Sequence, residues 1–67
     1  MMAKLEVYND RLDYDDNKPH SVEDWKKVTE ALEYAKKEVA KVRGSFKFKG
    51  FKIFTSRGEL KYKLPSF

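Results

Sequence analysis

The sequence predicts an α+β fold: one long amphipathic helix packed on a small antiparallel sheet, in the order β-α-β-β, with an extra N-terminal hairpin strand as a variant. Two patterns carry this expectation. Trp25, Val28, Leu32, Ala35, Val39 and Val42 recur at spacings of 3, 4, 3, 4 and 3, which is one stripe of a helix. Residues 46–54 and 60–64 instead alternate apolar groups with lysines, the period of two that a strand imposes on its side chains. A third observation bears on function. Residues 1–33 hold nine acids against five bases, and residues 34–67 hold ten bases against two acids.

The elements follow in order. Residues 5–8, Leu-Glu-Val-Tyr, form the first strand, and Asn9 and Asp10 offer a two-residue turn into a hairpin partner at 11–14. Residues 15–19 form a connection. Ser21 then stands as a helix N-cap with Asp24 at the capping-box position, and Glu23 and Asp24 favour the positive end of the helix dipole. Lys41 and Arg43 favour the negative end and Gly44 terminates the helix, which gives bounds of 22–43 and a length of about 33 Å. The same stripe would suit a coiled-coil seam, but Ala31, Ala35 and Ala40 favour close packing on a sheet.

After the helix the apolar parity shifts at Gly50, from Phe46 and Phe48 to Phe51 and Ile53. Either a bulge or a Lys49-Gly50 turn accounts for that shift. Residues 55–58 make a turn, and 59–64 return as a strand that Pro65 stops. The expected core is Leu5, Val7, Trp25, Val28, Leu32, Ala35, Val39, Phe46, Phe48, Ile53, Leu60, Tyr62 and Leu64.

Size and composition bound the rest. A chain of 67 residues has room for one domain, 1–67, near the lower limit for folding without disulfides or metal. It has no cysteine, which tilts the expectation to a reducing, cytoplasmic setting. No apolar stretch is long enough for a membrane span, and residues 1–6 lack the apolar block of a signal peptide. Aromatic residues make up 15% of the chain, which suits a small ring-rich core rather than a disordered tail.

The leading candidate site is the outer face of the sheet. Strand alternation would put Lys52, Lys61 and Lys63 on it with Phe54, joined, depending on Gly50, by Lys47 and Lys49, with Arg57 at a turn tip beside it. Ammonium groups that meet phosphates and a ring that stacks on an unpaired base are what single-strand binders combine, so a nucleic acid, single-stranded or duplex, is the expected partner. Lysines on strands also guard sheet edges and keep a protein soluble, with no ligand involved. The alternative function is a small regulatory or inhibitory protein, of the phage type, that binds a larger protein. Its contacts would be the basic face against an acidic protein surface, or the acids Asp10, Asp13, Asp15 and Asp16 against a basic one. The bipolar charge and the surplus of aromatics also allow a homodimer or head-to-tail self-association.

Other constellations are weaker. Asp13, Asp15, Asn17 and Asp24 match positions one, three, five and twelve of a calcium loop, but Lys18 stands where the loop needs glycine and Asp24 is short for a bidentate ligand. A solvated acidic segment explains them. His20 is the only histidine, and four serines without an elbow-like glycine spacing make no catalytic triad. No enzyme activity, metal or cofactor is expected.

Overall fold

The computed structural model describes residues 2–65. Four strands form one antiparallel sheet: β1 (Ala3–Tyr8), β2 (Ser21–Trp25), β3 (Gly50–Phe54) and β4 (Leu60–Leu64), in the spatial order β2-β1-β3-β4. Two helices complete the fold, α1 (Arg11–Asp15) between β1 and β2 and α2 (Val28–Lys41) between β2 and β3. A helix packed on a small antiparallel sheet is thus the architecture, as the two periodicities predict.

The core lies between α2 and one face of the sheet. Leu5, Val7, Phe51 and Ile53 project from β1 and β3 and meet Ala31 and Ala35 of α2, all buried. Alanines at the centre of the helix face let the backbone approach the sheet closely, while Val28, Leu32, Tyr34 and Val39 close the sides. Trp25 and Leu64 pack at the margins from β2 and β4.

Three expectations need correction. Residues 21–25 are strand, not the start of the helix, so Ser21 is no cap and α2 begins after Lys27, which has no side-chain capping bond. Trp25 nevertheless continues the helical stripe, because its ring faces the same core from the sheet and rests on Tyr34 at 5.2 Å between centroids. Pairing with β1 across five residues overrode the local helical pattern. Second, residues 11–14 are not a hairpin strand. Asp10 caps a short helix there, accepting a bond from the Leu12 amide at 2.7 Å, and the returning strand is β2.

The third correction concerns residues 46–49, which lie outside the sheet. Gly50 is therefore neither bulge nor turn but the first residue of β3, opposite Tyr8. Glycine is needed there for close approach, since a Cβ would stand 2.8 Å from both the Phe48 and Tyr14 rings. Phe46 is fully exposed, Leu60 and Tyr62 are exposed on the edge strand, and Phe48 packs on Tyr14 outside the cluster beneath α2, so these four leave the expected core.

Candidate nucleic-acid interface

The opposite face of the sheet carries Lys4, Glu6 and Tyr8 of β1 and Lys52 and Phe54 of β3, paired as Lys4 with Phe54 and Glu6 with Lys52. Alternation does send Lys52 and Phe54 away from the core, but α1 folds back over this face. Tyr14 of α1 stands edge-on to Tyr8 at 5.3 Å, and its hydroxyl donates to the Pro65 carbonyl at 2.9 Å.

Lys52 is buried beneath α1. Its Nζ donates to the Tyr14 carbonyl at 2.7 Å and to Asn17 Oδ1, and it lies 4.6 and 4.9 Å from the centroids of the Tyr14 and Tyr8 rings. The ammonium is held by oxygen acceptors and ring faces on this face of the sheet, and it is withdrawn from the surface assigned to it by alternation. Phe54 is half-buried with Lys4 Nζ 4.7 Å over its ring, and Lys4 in turn pairs with Glu6 at 3.5 Å.

The remaining expected residues do not share one patch. Lys61 and Lys63 are exposed on β4, at the sheet edge. Arg57 sits in the β3–β4 turn, where Thr55 Oγ1 accepts from the Arg57 and Glu59 amides and Gly58 takes a positive φ of 85°. Lys47 and Lys49 lie at the other end of β3, beyond Gly50. The acids Asp13, Asp15 and Asp16 are exposed on or beside α1, on the face expected to be cationic.

Lys47 and Lys49 instead join residues from two other elements around a cleft of about 600 Å³. Asn9, Asp10 and Arg11 supply one wall, Glu38, Lys41 and Val42 at the end of α2 a second, and Phe46, Lys47, Phe48 and Lys49 the third. Lys49 Nζ donates to Asn9 Oδ1 at 2.9 Å, which ties the loop to the β1 end. Ser45 holds the loop's turn, donating to the Val42 carbonyl at 2.7 Å and accepting from the Lys47 amide at 3.2 Å. Phe48 packs on Tyr14 at 5.6 Å, whereas Phe46, two residues earlier, is fully in solvent.

Four bases face two acids in this cleft. Asp10 is engaged as the α1 cap and Glu38 pairs with Lys41 at 2.6 Å, a hydrogen bond that raises the lysine's pKa. Sequence reasoning put Phe46 in the core and assigned no role to Arg11. A signal for the loop is the pair Gly44 and Ser45, a helix stop followed by a turn former, seen in the positive φ of 83° at Gly44 and the bonds of the Ser45 hydroxyl. The calcium pattern does not converge: Asn17 is bonded to Lys52, Asp24 is in β2 opposite Lys4, and among the described residues no three potential metal ligands gather. Nor is any helix among them long and apolar enough to cross a membrane.

Searches against known protein families, curated proteins and solved structures find no match to this chain. The geometry of the site is therefore what a functional reading rests on.

Proposed function

We propose that the chain is a non-enzymatic binding protein that takes single-stranded nucleic acid at the cleft between the end of α2 and the 46–49 loop. The observation that carries this reading is Phe46, a ring wholly in solvent on the rim of a cleft whose bases outnumber its acids. An exposed ring gives a base a stacking surface, and Lys47, Lys49 and Arg11 supply cations for the adjacent phosphates. This moves the interface from the sheet face to the loop and keeps only Lys47 and Lys49 of the residues expected from alternation.

Fluorescence anisotropy with labelled single-stranded and duplex oligonucleotides, at low and physiological salt, tests it. Binding should weaken steeply with salt and favour single strands. Phe46→Ala should weaken it by about 1–3 kcal/mol, roughly 5- to 150-fold, without changing stability, because the ring packs on nothing. Reversing Lys47 and Lys49 should abolish binding, and reversing Lys61 and Lys63 should leave it intact. No binding at low salt, or full affinity in Phe46→Ala, defeats the proposal.

One observation favours the second reading, a regulatory protein that binds a basic protein partner. Leu12 is 72% exposed on α1 among Asp10, Asp13, Asp15 and Asp16, an apolar anchor ringed by acids. A partner captured by the wild-type chain and lost in Leu12→Lys, with Phe46→Ala still competent, would place the function there.

A further inference from the structure

The sheet has two open edges of opposite charge. β2 and β4 are its outer strands, and among the described residues no strand lies beyond either. β2 carries Glu23 and Asp24 and no base, while β4 carries Lys61 and Lys63 and no acid. Nearly all of both strands is exposed, including the apolar side chains of Val22, Leu60 and Tyr62.

The topology makes these edges mutually compatible. β1 is antiparallel to both β2 and β3, and β3 is antiparallel to β4, so the two edges run in opposite directions. A second copy placed beside the first by translation across the sheet brings its β2 antiparallel to β4, with both α2 helices on one side of the continued sheet. Each strand has five residues, and setting Tyr62 opposite Glu23 puts Lys63 opposite Val22 and Leu64 opposite Ser21. Lys61 sits at a bulge against β3, between Leu60 opposite Phe54 and Tyr62 opposite Ile53, and lies beside Asp24 of the neighbouring copy. The faces agree from Tyr62 to Leu64. Tyr62 pairs with Ile53 and Glu23 with Leu5, both on the α2 side, while Lys63 pairs with Lys52 and Val22 with Glu6, both on the other.

The two-fold alternatives lack this match. β4 against β4 sets lysines against lysines, and β2 against β2 sets acids against acids; like charges directly opposite on neighbouring strands are destabilising. The lysines of β4 thus guard the edge against its own kind while leaving it open to the acidic strand.

We propose that the chain self-associates head to tail, β4 of one copy against β2 of the next, extending one antiparallel sheet across copies. Because the contact is heterologous and each added copy presents a fresh edge, growth does not stop at two.

Sedimentation velocity and light scattering of the full chain, from micromolar to millimolar concentration and at low and high salt, test this. The average mass should rise past the dimer without a plateau and fall when salt is added. Lys61→Glu with Lys63→Glu makes both edges acidic, and Glu23→Lys with Asp24→Lys makes both basic. Each double variant alone should lose association while keeping its far-UV circular dichroism, and an equimolar mixture of the two should regain it. A wild-type chain that stays monomeric at millimolar concentration overturns the proposal. So does a plateau at the dimer, association of either double variant alone as strong as wild type, or a mixture of folded variants that remains monomeric.

Discussion

Replacing Lys52 with methionine tests whether a buried ammonium, rather than a surface charge, is what the alternating sequence encodes at this position. Lys52 Nζ holds α1 to the sheet through the Tyr14 carbonyl and Asn17 Oδ1. Two hydrogen bonds from a charged donor are together worth about 3–6 kcal/mol. Against this, methionine keeps much of the stem's packing and removes the desolvation of the ammonium, which offsets several kcal/mol. Asn17 is exposed and its oxygen rehydrates, and the Tyr14 carbonyl still faces the Asp16 amide and the Asn17 amide, the latter at 3.4 Å. The balance is a loss of about 2 kcal/mol, from the two charged hydrogen bonds less the relieved desolvation. With a urea dependence of about 1 kcal/mol per molar for so small a chain, the midpoint should fall by about 2 M.

Hydrogen exchange locates the effect. A five-residue helix has no stability of its own, so the Tyr14 and Asp16 amides, bonded to the Asp10 and Leu12 carbonyls, should lose protection before the amides of β1 and β3. Oligonucleotide affinity should be unchanged. A stability within about 0.5 kcal/mol of wild type, with α1 still protected, would refute the account of Lys52 as the tie between α1 and the sheet.

Three other outcomes follow from single sites. Gly50→Ala forces a methyl to within 2.8 Å of the Phe48 and Tyr14 rings and should destabilise by about 1–3 kcal/mol in the same urea assay. Lys27→Asp supplies the missing N-cap of α2 at a residue already in extended geometry (φ −133°, ψ 140°) and should add about 1 kcal/mol, raising Tm by about 4–8 °C by calorimetry. At alkaline pH, Tyr8 has its pKa raised well above 10.0, first by burial and then by its hydrogen bond to Glu6. A raised folded-state value means the native protein keeps a proton that the unfolded chain releases, so stability is fully present below pH 10 and falls as pH climbs above it. In that range Tyr8→Phe should lessen the decline by about 1.4 kcal/mol per pH unit, read from urea midpoints against pH.

What the sequence made legible depended on whether a local pattern and its tertiary setting agreed. The alternation at Phe51, Lys52, Ile53 and Phe54 and the helical repeat at Val28, Leu32, Ala35 and Val39 each reflect a single element with one apolar face on the core, and both survive intact, although α1 buries the other face of β3 at Lys52. The repeat misled where two elements share one core: Trp25 in β2 and Val28 in α2 are three residues apart and face the same apolar layer, which imitates a helical turn across a strand and its link. The alternation misled at Phe46, because period two by itself does not distinguish a strand from an extended loop; the difference lies in whether a neighbouring strand offers hydrogen bonds there, and β1 ends at Tyr8, opposite Gly50.

The outer sheet face shows why alternation alone could not fix the site. Placing a lysine on that face implies a cationic surface only if nothing covers the face, and a five-residue helix with one buried tyrosine is enough to cover Lys52 and Tyr8. Once α1 is there, Lys52 has a structural partner, Glu6 pairs with Lys4, and the acids of α1 stand where phosphates would have to approach. Like-sign repulsion between those acids and a phosphate backbone disfavours the face, whereas at the end of α2 the two acids of the cleft are already engaged, one as a cap and one by Lys41. The charge split of the sequence is therefore not a division between two faces of the sheet. The acids of α1 lie over one face, the bases of the 46–49 loop gather beyond its end, and Glu23 and Asp24 stand on the edge opposite Lys61 and Lys63.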